Sequence, residues 1–154
     1  MTPAIDAAIQ AGIAYVVHQY EHDPKSRAFG LEAAEKLGLD PATVFKTLIV
    51  EIDTSALAVA VIPCTGLLNM RQLARARKVE RAAIADRAAA ARATGYIMGE
   101  ISPLGKKKRL RTGIDHSATA FKRIYVSGGR RGRDLEVEPA DLIRLTAALS
   151  ADLC

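Results

Sequence analysis

Two almost unbroken apolar runs, FKTLIVEI (45–52) and LAVAVI (57–62), are joined through the short segment IDTSA. Runs this short and this rich in Val, Ile and Leu read as strands covered on both faces. So short a connection holds no crossover helix, so the two runs should pair as an antiparallel hairpin. The hairpin therefore needs a packed layer on each side, and 154 residues are enough to build that core without disulfide staples.

The remaining elements are expected around it. Thr2-Pro3 reads as an N-cap with proline in the first turn; Ile5, Ala8 and Ile9 share a helical face, and Gly12 ends the helix. AYVVHQYEH (14–22) reads as a strand broken by Asp23-Pro24. Helices are expected over 30–37, stopped by Gly38, and over 69–76 and 84–93, with a short helical turn from Asp40-Pro41. Short strands are expected at 96–98, 123–127 and 134–137, the last two flanking a GGRRGR turn. Glu138-Pro139 opens a final helix with Leu142, Ile143, Leu145 and Leu149 inside. Locally paired strands with irregularly spaced helices give an α+β domain with a mixed, largely antiparallel central sheet, one unit over residues 1–154. No glycine-rich turn joins a first strand to a helix, which excludes dinucleotide-binding and P-loop readings.

The formal net charge is +5, which leans towards a polyanionic partner. The cysteines, Cys64 and Cys154, make no disulfide framework, so a reducing cytoplasm is expected. The N-terminal segment lacks the features of a signal peptide, and no apolar run is long enough to suggest a membrane partner.

Lys46 is the residue hardest to explain as structure. Alternation puts Phe45, Thr47 and Ile49 on one face and Lys46, Leu48 and Val50 on the other. A lysine among aliphatic neighbours must snorkel, pair with a carboxylate or meet an anionic ligand. GEISP, from Gly99 to Pro103, is a loop that could turn N–H groups towards an oxyanion, although a plain turn explains it equally. SGGRRGR carries Arg130 and Arg131, and GKKKRLR carries Lys106, Lys107, Lys108 and Arg109. Each is a solvated basic loop or, taken together, a surface for RNA phosphates. His18 and His22, four apart in a strand, would stand roughly 13 Å apart, too far for one metal, so no metal or cofactor is expected. Cys64 has no sequence-adjacent base and reads as a small core residue.

Five segments in order, YEHDP, VFKTLIV, LAVAVIP, TGYIMGEISPLGKKKRL and IYVSGGRRGRDLEV, resemble the YbaK/EbsC family, freestanding relatives of the editing insertion domain of bacterial prolyl-tRNA synthetase. The resemblance runs over nearly the whole chain and implies a mixed, largely antiparallel central sheet flanked by helices. It implies trans-editing: deacylation of mischarged tRNA at its 3′-aminoacyl-adenosine end, with Cys-tRNA(Pro) the nearest substrate and Cys-tRNA(Cys) a further one. Prolyl-tRNA synthetase is the implied protein partner. The resemblance assigns Lys46, Gly99 and Pro103 to catalysis. It assigns Tyr20, Phe29, Ile101, Ser102, Ser127, Gly128, Gly129 and Asp134 to the substrate pocket. The implied chemistry uses the substrate's own thiol, which attacks its ester carbonyl while the protein positions it. The chain departs from the family pattern at Arg111, where relatives often carry proline, and at Cys64, where they carry an aliphatic residue. Two other readings stand beside this one: a deacylase of Ala-tRNA(Pro) or another mischarged tRNA, in which water attacks, and a noncatalytic tRNA- or synthetase-binding module.

Overall fold

A computed structural model describes residues 1–53 and 56–154. The expected hairpin is present: β2 (Phe45–Ile52) pairs antiparallel with β3 (Ala56–Pro63), Lys46 opposite Ile62. Thr54 and Ser55, within the expected connection, lie outside the described residues. The alternation read from the sequence holds. Phe45 and Ile49 pack with Val59 and Val61 in the larger core. Val50 joins Ile52, Ala58, Ala60, Ile62 and Leu73 on the other face, with Leu48 against that cluster.

Helix α1 (Pro3–Ala11) is capped by the Thr2 hydroxyl, which accepts from the Ile5 N–H, and closes on Gly12 in the left-handed region. Strand β1 (Tyr15–Gln19) follows, then α2 (Phe29–Leu37) and a 3-10 turn at Pro41–Thr43. Helix α3 (Met70–Arg77) lays Leu73 onto the β2–β3 sheet, and α4 (Arg87–Thr94) is capped by Asp86. Strands β6 (Ile124–Arg130) and β7 (Arg133–Val137) form a second hairpin, followed by α5 (Pro139–Thr146).

The sheet is built in two parts. A five-stranded mixed sheet has the order β4-β2-β3-β5-β8, and an antiparallel three-stranded sheet has the order β1-β7-β6. Strand β4 is Ala82–Ile84, β5 is Arg111–Asp115 and β8 is Leu149–Ala151. One parallel bridge, Val44 to Tyr125, ties the two sheets together just before β2 begins. The cavity described below opens at this junction.

Several expectations are corrected. Ile84 is in β4, paired with Val50, and not in a helix; the alanines around it hid a strand fixed by tertiary pairing. Residues 96–98 form no strand; Tyr96 is held by side chains, its hydroxyl donating to the Leu104 carbonyl at 2.6 Å. The SGGR segment continues β6 with a shift in register between Ser127 and Arg130, and the turn is Arg131-Gly132. Leu149 is 41% exposed in β8, outside α5. His22 lies beyond the end of β1.

Candidate active site

The junction of the two sheets encloses a cavity of about 400 Å³. Strand β2 supplies one wall with Phe45, Lys46, Thr47 and Leu48. The second hairpin supplies Ser127, Arg130, Arg131 and Asp134, and the loop after α4 supplies Met98, Gly99 and Ile101. Tyr20 and the N-terminal turn of α2, including Phe29 and Leu31, close the mouth.

Lys46 is half-buried at the start of β2, where β4 does not reach; β4 pairs only with Val50, Glu51 and Ile52. No carboxylate lies within ion-pair distance of its ammonium among the described residues. The neighbouring Thr47 hydroxyl is buried without a hydrogen-bond partner among the described residues. Buried polar atoms are rarely left so, and a ligand oxygen or nitrogen would complete this one.

Asp134 is 7% exposed and sits in the middle strand of its sheet, between His18 and Ser127. Burial pushes its carboxyl up to about 7, with His18 offsetting part of the shift. Tyr20 is pushed up to about 12 by burial and then by the nearby Asp134 and Glu32 charges, so its hydroxyl remains a donor at neutral pH. Behind it, Glu32 anchors the chain leading into α2. Its Oε1 is 2.6 Å from His22 Nδ1, and its Oε2 accepts from the Asp23 N–H at 2.7 Å. Burial alone would raise the Glu32 pKa; these bonds and Lys36 outweigh it and leave the carboxyl below its usual range.

Gly99 has φ +88°, and a Cβ there would lie 2.7 Å from Phe29 Cε2 and 3.2 Å from an Arg131 nitrogen. Only glycine both adopts this turn and lets the Phe29 ring close over it. The Arg131 guanidinium stacks 4.8 Å from the Phe29 ring centre and donates to the Met98 carbonyl at 3.4 Å. Ser127 Oγ donates to the Glu100 carbonyl at 3.1 Å, holding the loop against β6. Among the described residues, the Gly99 and Ile101 N–H groups have no acceptor.

Residues 26–145 match the model of the aminoacyl-tRNA editing domain. The chain belongs to that family. It is 37% identical over 123 residues to an Enterococcus faecalis protein named "Putative Cys-tRNA(Pro)/Cys-tRNA(Cys) deacylase EbsC", which spans 78% of this chain and 73% of the relative. The fold matches a crystal structure described as "a putative trans-editing enzyme for prolyl tRNA synthetase", with a TM-score of 0.83, 20% identity, and 98% and 94% of the two chains covered. It also matches a hypothetical protein at TM-score 0.86 and 24% identity, with 98% of each chain covered. The YbaK/EbsC resemblance and the α+β class read from the sequence are borne out, and membership makes the chain an aminoacyl-tRNA deacylase by class.

In this editing domain the cavity gathers Tyr20, Phe29, Lys46, Gly99, Ile101, Ser127, Arg130, Arg131 and Asp134 from the expected set. Other expected residues do not reach its lining. Ser102 is fully buried and its Oγ accepts from the Leu104 N–H, so Ser102 and the buried Pro103 brace the loop from behind. Gly128 and Gly129 lie against the cap of α1: the Thr2 hydroxyl donates to the Gly128 carbonyl, and a Cβ on Gly129 would lie 3.2 Å from Thr2 Cβ and 2.9 Å from the Tyr96 ring. Lys106 turns inward and donates to the Pro103 carbonyl at 2.6 Å, while Lys107, Lys108 and Arg109 are exposed away from the cavity. Cys64 is half-buried in the lining and not a core residue; burial pushes its thiol up, against the pull of Lys46. Arg27, Leu31, Thr47 and Met98 also line the cavity, although nothing in the sequence singled them out.

Among the described residues, no helix is long and apolar enough to cross a membrane.

Proposed function

We propose that this editing domain removes cysteine from mischarged Cys-tRNA(Pro), and from Cys-tRNA(Cys) as a further substrate, with residues 1–154 acting as one unit beside prolyl-tRNA synthetase in the cytoplasm. The observation that carries the reading is that the Lys46 ammonium, without an ion-pair partner among the described residues, and the unpartnered Thr47 hydroxyl both line one cavity, whose other polar residues include Ser127, Arg130, Arg131 and Asp134. A cation there attracts the terminal phosphate or the carbonyl oxygen of an aminoacyl ester. The free Gly99 and Ile101 amides suit the oxyanion that forms at that carbonyl.

The substrate brings its own nucleophile. A cysteine thiol has an unperturbed pKa of about 8.5, so a useful fraction is thiolate near neutral pH. Its sulfur forms a bond to the ester carbon and the bond to the ribose 3′ oxygen breaks, that oxygen taking the proton the thiol lost. The released cyclic thioester is then opened by water. The protein's part is positional: Lys46 holds the ester end, the Gly99 loop receives the oxyanion, and Tyr20 and Asp134 shape the pocket around the side chain. The Cys64 thiol, pushed up by burial, is a wall residue in this scheme.

The test is a panel of tRNAs charged with cysteine, S-methylcysteine, alanine or serine. Release of cysteine alone supports the reading. Equal release of S-methylcysteine would show that the substrate sulfur is not the nucleophile. Preferential release of alanine would move the specificity to Ala-tRNA(Pro), and binding without release of any amino acid would sink the enzymatic reading.

A further inference from the structure

We infer that the outer face of α3, continued past its end and across to Arg109 and Arg111, is a binding surface for the phosphate backbone of the tRNA acceptor arm. The inference rests on the editing reading above but on different residues from the cavity. Residues 70–92 hold seven Lys and Arg against two acids, an excess of five that equals the net charge of the whole chain. Residues 106–111 carry a further five cations and no acid, and two of these, Arg109 and Arg111, adjoin the same face.

The helix itself explains how the charge is displayed. Leu73 and Ala74 are buried against the sheet. Arg71, Arg75 and Lys78 are spaced four and three apart, which puts them on one helical face, and all three are exposed. No ion pair neutralises them, or Arg81, Arg109 and Arg111, among the described residues. Two of the nearby acids are turned to backbone groups: Asp53 accepts from the Glu80 and Arg81 N–H groups, and Asp86 caps α4.

The surface is continuous with the cavity. Lys46, Leu48 and Val50 alternate onto one face of β2, and Leu48 and Val50 share their cluster with Met70 and Leu73 of α3. Leu48 also lines the cavity, so α3 begins beside it on the face that carries Lys46. At the far end, one surface hollow is lined by Arg71 and Arg81 together with Glu51, Asp53 and Glu80, and the next brings Arg109 and Arg111 to Asp53. From Lys46 to Ile52 the strand covers roughly 20 Å. That is room for roughly six phosphates of one stacked strand. A polynucleotide whose 3′ end enters the cavity must send its phosphates somewhere: Arg130 and Arg131 line the cavity itself, and the face of α3 offers a run of unpaired cations leading away from it. Residues 70–92 contain no aromatic side chain, so the surface offers charge without base stacking and should be blind to sequence.

The experiment uses the triple variant R71A/R75A/K78A, whose alanines at 71 and 75 favour the helix, while Lys78 is the left-handed cap beyond its end. Binding of uncharged tRNA is measured from 50 to 200 mM salt, beside turnover of Cys-tRNA(Pro) and of a 3′-cysteinyl-adenosine fragment with no stem. Expected are a tenfold or greater loss of tRNA affinity at the lowest salt and a salt slope reduced by about two to three. KM for the charged tRNA should rise with kcat unchanged, and the fragment should be cleaved as by the parent. Unchanged tRNA affinity and slope in the variant, or no salt-dependent binding in the parent, would overturn the inference. If the parent binds tRNA through this face but cleaves no charged tRNA, the editing reading fails and the surface stands.

Discussion

The five-stranded sheet brings a cation to the cavity from a place where β2 is paired in a ladder with β3 alone, whereas the three-stranded sheet brings a carboxyl from a strand paired on both sides. Lys46 faces Ile62 of β3 and has no β4 residue opposite it. Water and ligand can reach its ammonium. Asp134 lies between His18 and Ser127, is nearly enclosed, and has its pKa pushed up to about 7 by burial. Both charges sit among apolar neighbours, but the sheet resolves them differently. The lysine is half-buried in the cavity wall without an ion-pair partner among the described residues; the carboxyl comes close to losing its charge.

The comparison is broken most directly at Lys46. Lys46→Ala should lower cysteine release from Cys-tRNA(Pro) by about 100- to 1000-fold, the range seen when one group facing a developing charge is removed. Its unfolding free energy should stay within about 1 kcal/mol of the parent, because no ion pair is lost. Urea unfolding and single-turnover assays on the same sample measure both. Retained turnover would end the electrostatic role of this residue.

Asp134 should show the opposite balance, with the effect in stability and in its pH dependence. Its folded pKa is raised from 3.8 to about 7, so between those values the native state holds a proton that the unfolded chain has lost. Stability should therefore fall as pH rises from about 4 to about 7 and level off above. The shift sets a ceiling of about 4 kcal/mol, and about 2 kcal/mol is expected once the relaxation of a real interior is allowed for. Asp134→Asn should flatten that slope. Thermal unfolding of both proteins at pH 4, 5.5, 7 and 8 reads it, and an unaltered slope in the variant would assign the loss to another group.

How far these two sites could be read from the sequence follows from the same contrast. Lys46 was legible because a strand pattern surrounds it, and alternation alone shows that one position is out of place. Asp134 was legible only through the family resemblance, since an aspartate before Leu-Glu-Val gives no sign of being enclosed on both sides. The hairpin, the proline and glycine limits of α1 and α2 and the α+β class came from local chemistry. Strands β4, β5 and β8 did not. β4 and β8 have three residues each, and β5 contains a glycine. Both β5 and β8 join by parallel pairing between segments far apart in the chain, which leaves no local signature. The cavity residues Arg27, Leu31, Cys64 and Met98 were missed for a related reason: they meet only when α2 and the Gly99 loop close over β2.

That closure makes a smaller test at the mouth. Phe29→Leu removes the ring under the Arg131 guanidinium while keeping an apolar side chain against Gly99. A cation–π contact is worth about 1 kcal/mol at a partly exposed site, so KM should rise by at most about fivefold, through the freed Arg131, with little change in kcat. A fall in kcat alone would instead tie Phe29 to the geometry of the Gly99 loop.

The smallest effect separates two lysines that are neighbours in sequence. Lys106 donates to the Pro103 carbonyl, and burial lowers its pKa, with Arg109 adding to the shift; Lys107 is exposed. Lys106→Met keeps the buried stem but leaves that carbonyl without its donor, which should cost about 1 kcal/mol of stability. Because the ammonium already points inward, tRNA affinity at low salt should not change. Lys107→Met should leave stability untouched. If Lys107 touches RNA, its loss should shift the salt slope by somewhat less than one. A basic run that reads as uniform in sequence thus divides into a brace for the loop and a solvated charge. Equal losses of tRNA affinity in both variants would mean that Lys106 leaves Pro103 when RNA binds, and the brace would then be a feature of the free protein only.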